Sequence, residues 1–348
     1  MKFSKAHIII KYNIANEYSS IYAHIFEHIF VSAIEGDDWF VKKGAMVFGA
    51  TNFDYIDIQI DMLKTSTKLI YDKIKTNLYN IKDFKKCFDA EKTILLRESK
   101  LYECADDEKL LLKMLNKSLK TSTLSVQGSY DAILQISYDK FLSFVNLNIL
   151  PNQVIINIDG KDFVQGKYQQ KDIAKFEISS CQIKRTEDVC TIELIIPDVS
   201  FGKDKLKMEL LEYLNFSENN GLYKILRTKL GLLYSIEHAY VFIQGLYMLI
   251  VEIKCEKEVI ERVKQEIDEY IKNNLFFKCN IDAILNYLFV LKHNEYLGSE
   301  KQAHNLYHKL IRHKKITLKD ELKSLSCITE AEFKNFLKNQ VVYCGIAY

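Results

Sequence analysis

Residues 24–28 read His24-Ile25-Phe26-Glu27-His28, an H-x-x-E-H pattern of two imidazoles and one carboxylate. On an α-helix, positions i, i+3 and i+4 are surface neighbours, so His24 and His28 would converge on one metal ion with Glu27 at its open coordination position. The segment contains neither Gly nor Pro, and Ser19-Ser20 offers an N-cap, so we predict that it is helical. The pattern therefore indicates a metal site.

A zinc site of this kind needs a third protein ligand, and the inverted H-x-x-E-H arrangement usually takes a Glu from a separate downstream helix. Residues 89–103 have helical periodicity, and they place Glu91 and Glu98 two turns apart on one face. We predict that Glu98 is the third ligand with Glu91 behind it, and Glu103 is the alternative ligand.

These residues resemble those of the zinc peptidases typified by pitrilysin, insulin-degrading enzyme and the mitochondrial processing peptidase. In that family a downstream Glu completes the zinc site, and another Glu precedes that ligand by two helical turns. Here Glu98 lies 70 residues after His28, slightly fewer than is usual in the family, and Glu91 lies seven before Glu98. The resemblance implies Zn²⁺ held by His24, His28 and Glu98, with Glu27 and Glu91 as the other acidic residues of a catalytic centre that hydrolyses peptide bonds.

A second resemblance lies in residues 219–235, which are similar to the signature of the family's second domain. It implies that Arg227 and Tyr234 hold the substrate backbone near the scissile bond. Read from the residues alone, a helix ends with Gly231 as its C′ residue and a strand follows, so Arg227 lies on the last turn and Tyr234 just beyond it.

The chain departs from the family at the edge strand that adds the substrate as a further β-strand. Relatives carry Asn-Ala-x-Thr there, and the matching residues are Phe48, Gly49, Ala50 and Thr51. Backbone pairing tolerates a change of side chain, so the resemblance still implies substrate binding at Phe48 and Gly49. The alternative is that Phe48 is a core residue, which is the default for a lone aromatic in a strand.

Composition limits the other classes of function. A chain of 348 residues with 48% apolar residues suits two globular domains. Its net charge of +2 gives no electrostatic reason to expect nucleic acid or an anionic membrane as a partner. The N-terminus alternates like a strand rather than a signal peptide, and the eight cysteines form no C-x-x-C pair, so we expect a cytoplasmic protein with reduced thiols.

A repeated pattern predicts a duplicated fold. Residues 136–144 and residues 328–336 each place a hydroxyl N-cap four residues before a Phe, with a second Phe three later and a β-rich strand after the helix. We predict an α+β fold of two α/β sandwich domains, each a mainly antiparallel sheet with helices on one face. The domains are residues 1–165 and 176–348, separated within the polar stretch 161–175.

The resemblance also implies partners. In the family, the metal and the Arg/Tyr pair face each other from opposite halves of a clamshell that admits short or unfolded peptides, including leader or precursor segments. A two-domain chain would complete such sites in trans as a homodimer, or pair with a homologous chain. The contrasting hypothesis is a non-catalytic peptide-binding or scaffold subunit. His304 and His308 are also i, i+4, but no carboxylate lies between them, and no nucleotide-binding or serine hydrolase motif is present.

Overall fold

The fold is taken from a computed structural model. It describes residues 2–13, 17–80, 84–102, 106–118, 128–151, 154–166, 181–183, 189–198, 205–218, 220–243, 246–272, 285–286, 288–290, 318–338 and 342–347. These residues divide into two compact units, each with its own sheet.

The first unit is built on a five-stranded antiparallel sheet in the order β2-β3-β1-β4-β5. Its strands are β1 (Phe3–Lys11), β2 (Met46–Thr51), β3 (Tyr55–Leu63), β4 (Val154–Ile158) and β5 (Lys161–Gln165). Its helices are α1 (Glu17–Glu35), α2 (Asp38–Lys42), α3 (Thr67–Tyr79), α4 (Phe84–Tyr102), α6 (Tyr130–Gln135) and α7 (Tyr138–Phe144), which continues as a π-helix over Val145–Ile149. The strand β2 therefore forms one edge of this sheet.

The core of the first unit lies between α1 and the central strands. Apolar side chains of α1 such as Phe26 and Ile29 pack in one cluster with Ile8 of β1 and Ile58 of β3. Since strand side chains alternate between faces, the members of the cluster on each strand define the face that the helices cover. Each fully buried side chain of this size contributes about 1.5–3 kcal/mol of hydrophobic stabilisation. This packing fixes α1 against β2 and β3.

The start of α1 differs from the prediction. The helix begins at Glu17, so Ser19 and Ser20 lie inside its first turn and are buried. Neither Glu17 nor Tyr18 breaks a helix, and the helical run therefore starts before the two serines. The N-cap assigned to Ser19-Ser20 was wrong, whereas the helix through residues 24–28 is confirmed.

A hairpin occupies part of the stretch that we expected to be a polar boundary. Asp159 and Gly160 both have positive φ, 49° and 82°, as a tight two-residue turn between β4 and β5 requires. Asn157 supports the turn, because its side-chain oxygen accepts from the Gly160 N–H at 3.2 Å. Residues 161–165 therefore belong to the first sheet.

The second unit has a five-stranded sheet in the order β6-β10-β7-β9-β8. Its strands are β6 (Cys181–Ile183), β7 (Val189–Asp198), β8 (Leu233–Ile243), β9 (Leu246–Glu256) and β10 (Tyr343–Ala347). Its helices are α5 (Asp106–Ser118), α8 (Lys205–Phe216), α9 (Gly221–Tyr223), which continues as a π-helix over Lys224–Lys229, α10 (Ile260–Lys272), α11 (Leu318–Ser326) and α12 (Glu330–Lys338). Between these described strands, all pairings are antiparallel except the parallel pair β10–β6.

The two sheets confirm the predicted duplication. In each unit the first long strand is central, and the next two strands form a hairpin that ends at an edge of the sheet. A later strand, β4 in the first unit and β10 in the second, pairs with the other side of the central strand. The predicted caps also recur. Ser137 Oγ accepts from Lys140 N at 3.4 Å, and Thr329 Oγ1 accepts from Glu332 N at 3.2 Å. The predicted α+β class, with mainly antiparallel sheets and helices, is thus confirmed.

One helix adds to this description. The helix α5 lies before the predicted boundary in the sequence, yet it packs against the second sheet. A Cβ placed on Gly345 of β10 would lie 2.1 Å from Met114 Sδ, so α5 and β10 approach each other closely. Among the helices that the structure describes, none is long and apolar enough to cross a membrane.

Candidate metal centre

Three predicted ligands converge on one point in the first unit. His24 and His28 lie one turn apart on α1, and Glu98 lies on α4, which packs against α1. His24 Nε2 and His28 Nε2 lie 3.9 Å and 4.0 Å from Glu98 Oε2. Three or more His, Cys, Asp or Glu side chains whose ligand atoms lie close enough to hold one metal ion form a candidate site. Within the described part of the chain, His24, His28 and Glu98 form such a group.

The spacing of the donor atoms fits zinc. Two ligand atoms at about 2.0–2.1 Å from a tetrahedral Zn²⁺ are about 3.4 Å apart. The donor separations of 3.9 Å and 4.0 Å would therefore shorten by about half an ångström when zinc binds. Burial and the neighbouring His28 lower the pKa of His24 to about 3, so its imidazole is neutral and keeps a lone pair for a metal. Two imidazoles and a carboxylate are also a donor set that zinc prefers.

Glu91 fixes the orientation of one ligand. Its Oε2 lies 3.0 Å from His28 Nδ1, and Ser32 Oγ donates to its other oxygen at 3.1 Å. When Nδ1 carries the proton and donates to Glu91, Nε2 of His28 is left as an acceptor directed toward Glu98. Glu91 therefore lies behind His28, as the sequence predicted from its position two turns before Glu98.

Glu27 occupies the remaining side of this group. Its Oε2 lies 3.9 Å from His24 Nε2 and 4.0 Å from His28 Nε2, and Thr51 Oγ1 of β2 donates to it at 3.4 Å. Burial raises the pKa of the Glu27 carboxyl to about 7. A carboxyl group that exchanges its proton near neutral pH suits general acid and base chemistry.

The edge strand β2 lies directly beneath Glu27. A Cβ placed on Gly49 would be 1.9 Å from Glu27 Oε1 and 2.9 Å from Val31 Cγ2, so the missing side chain at this position makes room for the carboxylate. The family resemblance implied a role for Gly49 only in a substrate-binding strand, and the contacts of Gly49 and Thr51 with Glu27 were not predicted. The sequence did contain one indication of this contact, because a Gly inside a strand often marks a place where another group approaches closely.

Phe48 differs from the default expectation. Its side chain is 58% exposed, so the interpretation as a core aromatic was wrong. Val47 packs in the core and Gly49 faces Glu27, and the alternation of a strand then directs Phe48 to the opposite face of the sheet. This face is not covered by α1.

The second unit contains Arg227 and Tyr234. As predicted, a helical segment precedes Gly231, which has a φ of 63°, and a strand follows. The guanidinium of Arg227 donates to the carbonyl oxygen of Leu233, and the Tyr234 hydroxyl donates to Glu256 Oε1 at 2.9 Å. The hydrogen bond to Glu256 raises the pKa of Tyr234. Both side chains are exposed, Arg227 in the π-helix that follows α9 and Tyr234 at the start of β8.

Two sequence candidates are not placed. Glu103, the alternative ligand, and the pair His304 and His308 lie outside the described residues.

Comparison with known proteins was made at the level of sequence and of structure. No family model matches the sequence, and no curated protein matches it. Solved structures do match. A protease from Helicobacter pylori aligns with a TM-score of 0.79 and 12% identity over 100% of this chain and 95% of that chain.

Two further solved structures have the same architecture. A peptidase M16 inactive domain from Pseudomonas fluorescens aligns with a TM-score of 0.72 and 14% identity over 99% of this chain and 92% of that chain. A chain of complex III2 from Candida albicans, with Inz-5 bound, aligns with a TM-score of 0.75 and 13% identity over 99% of this chain and 91% of that chain. At these identities the similarity establishes the fold. This chain has the α+β fold of the pitrilysin-like, or M16, peptidases.

Proposed function

We propose that this protein is a zinc metalloendopeptidase that cleaves short or unfolded peptides. The observation that carries the proposal is the convergence of His24, His28 and Glu98 around one point, with the Glu27 carboxylate on its fourth side. A metal ligand set next to a buried carboxyl group is the arrangement that metal-assisted hydrolysis requires. Removal of leader segments from precursor peptides is one reaction of this class.

The proposed ligands have separate roles. His24, His28 and Glu98 would hold Zn²⁺, and Glu91 would act as a positioning residue that keeps His28 Nε2 directed at the metal. Zinc bound there would lower the pKa of a coordinated water to about 7 and polarise the scissile carbonyl group.

Glu27 would be the catalytic base. Its carboxylate accepts a proton from the attacking water as the water oxygen bonds to the carbonyl carbon. It then returns that proton to the amide nitrogen as the C–N bond breaks. Thr51 donates to the same carboxyl group and would hold it in position between the two steps. Burial of Glu27 keeps bulk water from competing for this proton.

The substrate would bind along β2, whose position at the edge of the first sheet allows an extended peptide to pair with its backbone. Arg227 and Tyr234 would contact the substrate backbone near the scissile bond. Since they belong to the second unit, we propose a cytoplasmic homodimer whose active sites are completed in trans, or a heterodimer with a homologous chain.

Metal analysis with a cleavage assay tests the proposal. We expect the purified protein to bind about one zinc per chain, as a single three-ligand site predicts, and to hydrolyse members of a quenched-peptide library. Treatment with a chelator should abolish cleavage, and added Zn²⁺ should restore it. A protein that binds peptides without metal or cleavage would contradict the proposal and would favour the scaffold subunit.

The role of Glu91 predicts a change in metal affinity. Glu91→Gln keeps the shape of the side chain but removes the charge that makes His28 a better ligand, so zinc affinity should fall about 10–100-fold. Competition with a fluorescent chelator measures this affinity. The matched control is Asp89→Asn, because Asp89 is exposed and lies two residues earlier on α4. This substitution should leave the zinc affinity unaltered. Equal zinc affinity in the Glu91→Gln and wild-type proteins would exclude a positioning role.

A further inference from the structure

Four large apolar side chains are exposed near one corner of the first sheet. Met46 and Phe48 of β2 are each 58% exposed, Phe3 of β1 is 64% exposed, and Leu63 of β3 is 37% exposed. Phe3 pairs with Leu63, and Met46 pairs with Asp61, two residues from Leu63 on the same strand. We call Phe3, Met46, Phe48 and Leu63 the apolar corner.

The apolar corner lies on the face of the sheet that α1 does not cover. Along β2, Val47 packs in the core and Gly49 lies against Glu27, so these two residues point toward α1. Met46 and Phe48 alternate with them and therefore point to the other face. Glu27 of α1 thus lies against one face of the strand, and two apolar side chains project from the other face.

The composition of β2 is unusual for an edge strand. Exposed sheet edges are normally protected against pairing by charged residues or Pro, because unpaired backbone groups recruit other strands. The strand β2 reads Met-Val-Phe-Gly-Ala-Thr and has neither. Among the described strands its only partner is β3, so its outer edge is open to another strand. Since this edge is continuous with the proposed active site, the peptide substrate is the strand that fits there.

Strand geometry then relates positions in the peptide to positions in β2. A residue that pairs opposite Gly49 points toward Glu27, and its neighbour opposite Phe48 points to the apolar corner. Side chains of directly opposed residues have Cβ atoms about 4.5–5.5 Å apart and interact. The residue two positions further along the peptide lies opposite Met46 and points the same way.

We propose that the apolar corner is a specificity-determining surface, and that it selects peptides with a large apolar residue opposite Phe48 and a second one opposite Met46. This inference rests on the proposed function, because it places the substrate on β2. The preferred substrates carry two apolar residues at i and i+2, the first adjacent to the residue that faces Glu27. Phe48 is the main contact, since it is nearer to Gly49 than Met46 is.

The test compares Phe48→Ser with Val164→Ser. Val164 is also an exposed apolar residue, at 55%, but it lies on β5 at the opposite edge of the same sheet. A randomised peptide library is digested and the products are sequenced by mass spectrometry. We expect the wild type and Val164→Ser to enrich apolar residues at two positions with i, i+2 spacing on one side of the cleavage site. For the best peptide, replacement of the first apolar residue by Ser should lower kcat/KM about tenfold, and Phe48→Ser should abolish this difference.

The outcomes separate the inference from the proposed function. Cleavage with the same preference in the wild type and Phe48→Ser overturns the inference and leaves the peptidase intact. Loss of dimerisation by Phe48→Ser without altered preference also overturns it, because β2 would then pair with a second copy. If the wild type cleaves nothing, the proposed function fails. The same library is then applied to the immobilised chain, and retained peptides with the i, i+2 pattern that Phe48→Ser no longer retains would still support the apolar corner.

Discussion

Glu27→Gln should lower turnover about 10²–10⁴-fold while leaving metal binding and the fold unchanged. The variant keeps the size and shape of the side chain but cannot accept the proton of the attacking water. Metal binding should persist, because the convergent donors are His24 Nε2, His28 Nε2 and Glu98 Oε2. Stability should persist as well, since burial already favours the uncharged form of this side chain and raises its pKa to about 7.

Three measurements check this prediction: kcat/KM on a cleaved library peptide, zinc content and the thermal unfolding midpoint. Glu35→Gln is the matched control, because Glu35 is an exposed carboxylate at the end of the same helix. It should behave as the wild type in all three. Full activity in a zinc-containing Glu27→Gln protein would show that Glu27 is not the catalytic base and would contradict the hydrolytic mechanism proposed for this site.

Much of the fold could be predicted because its signals are local. The caps at Ser137 and Thr329 and the phenylalanines that follow them lie within nine residues in each copy, and a duplicated pattern at that scale is visible in the sequence. The turn at Gly231 was also predictable, since a helix followed by Gly and then a strand requires a residue that tolerates positive φ.

Elements fixed by distant contacts were missed. The turn at Asp159-Gly160 directly precedes the polar stretch 161–175. The short strand β5 lies inside that stretch and has little apolar character to distinguish it from a linker. The helix α5 is amphipathic and could be recognised as a helix, but nothing in residues 106–118 states which sheet it covers. That choice depends on packing against β10, more than 220 residues later in the chain.

The metal centre shows the same division. Their spacing in the sequence was enough to predict that Glu91 and Glu98 share one face of α4. In the structure Glu91 lies behind His28, and Glu98 lies beside both imidazoles. The contacts of Glu27 with Gly49 and Thr51 depend on how α1 crosses β2, which periodicity does not specify. The exposure of Phe48 likewise follows from strand register, since a shift of one residue would exchange it with Val47.

The second large effect concerns the oligomer. We expect Glu27→Gln and Arg227→Ala chains to be nearly inactive alone and to recover activity when mixed. If sites are completed in trans, a mixed dimer has one site with both residues intact and one with neither. Random pairing of equal amounts makes half of the dimers mixed, so about a quarter of the wild-type sites should be functional.

The mixture requires two controls, because subunits must exchange and Arg227 also binds the Leu233 carbonyl oxygen. Tagged chains recovered together show exchange, and an unaltered unfolding midpoint shows that Arg227→Ala is folded. No recovery despite exchange would contradict the trans arrangement. A wild-type chain that is inactive alone but gains activity from a homologous chain would instead identify a heterodimer. Recovery of activity distinguishes the two arrangements because Glu27 lies in the first unit and Arg227 in the second. A site completed in trans takes these two residues from different chains, so only that arrangement gives the mixed dimer an intact site.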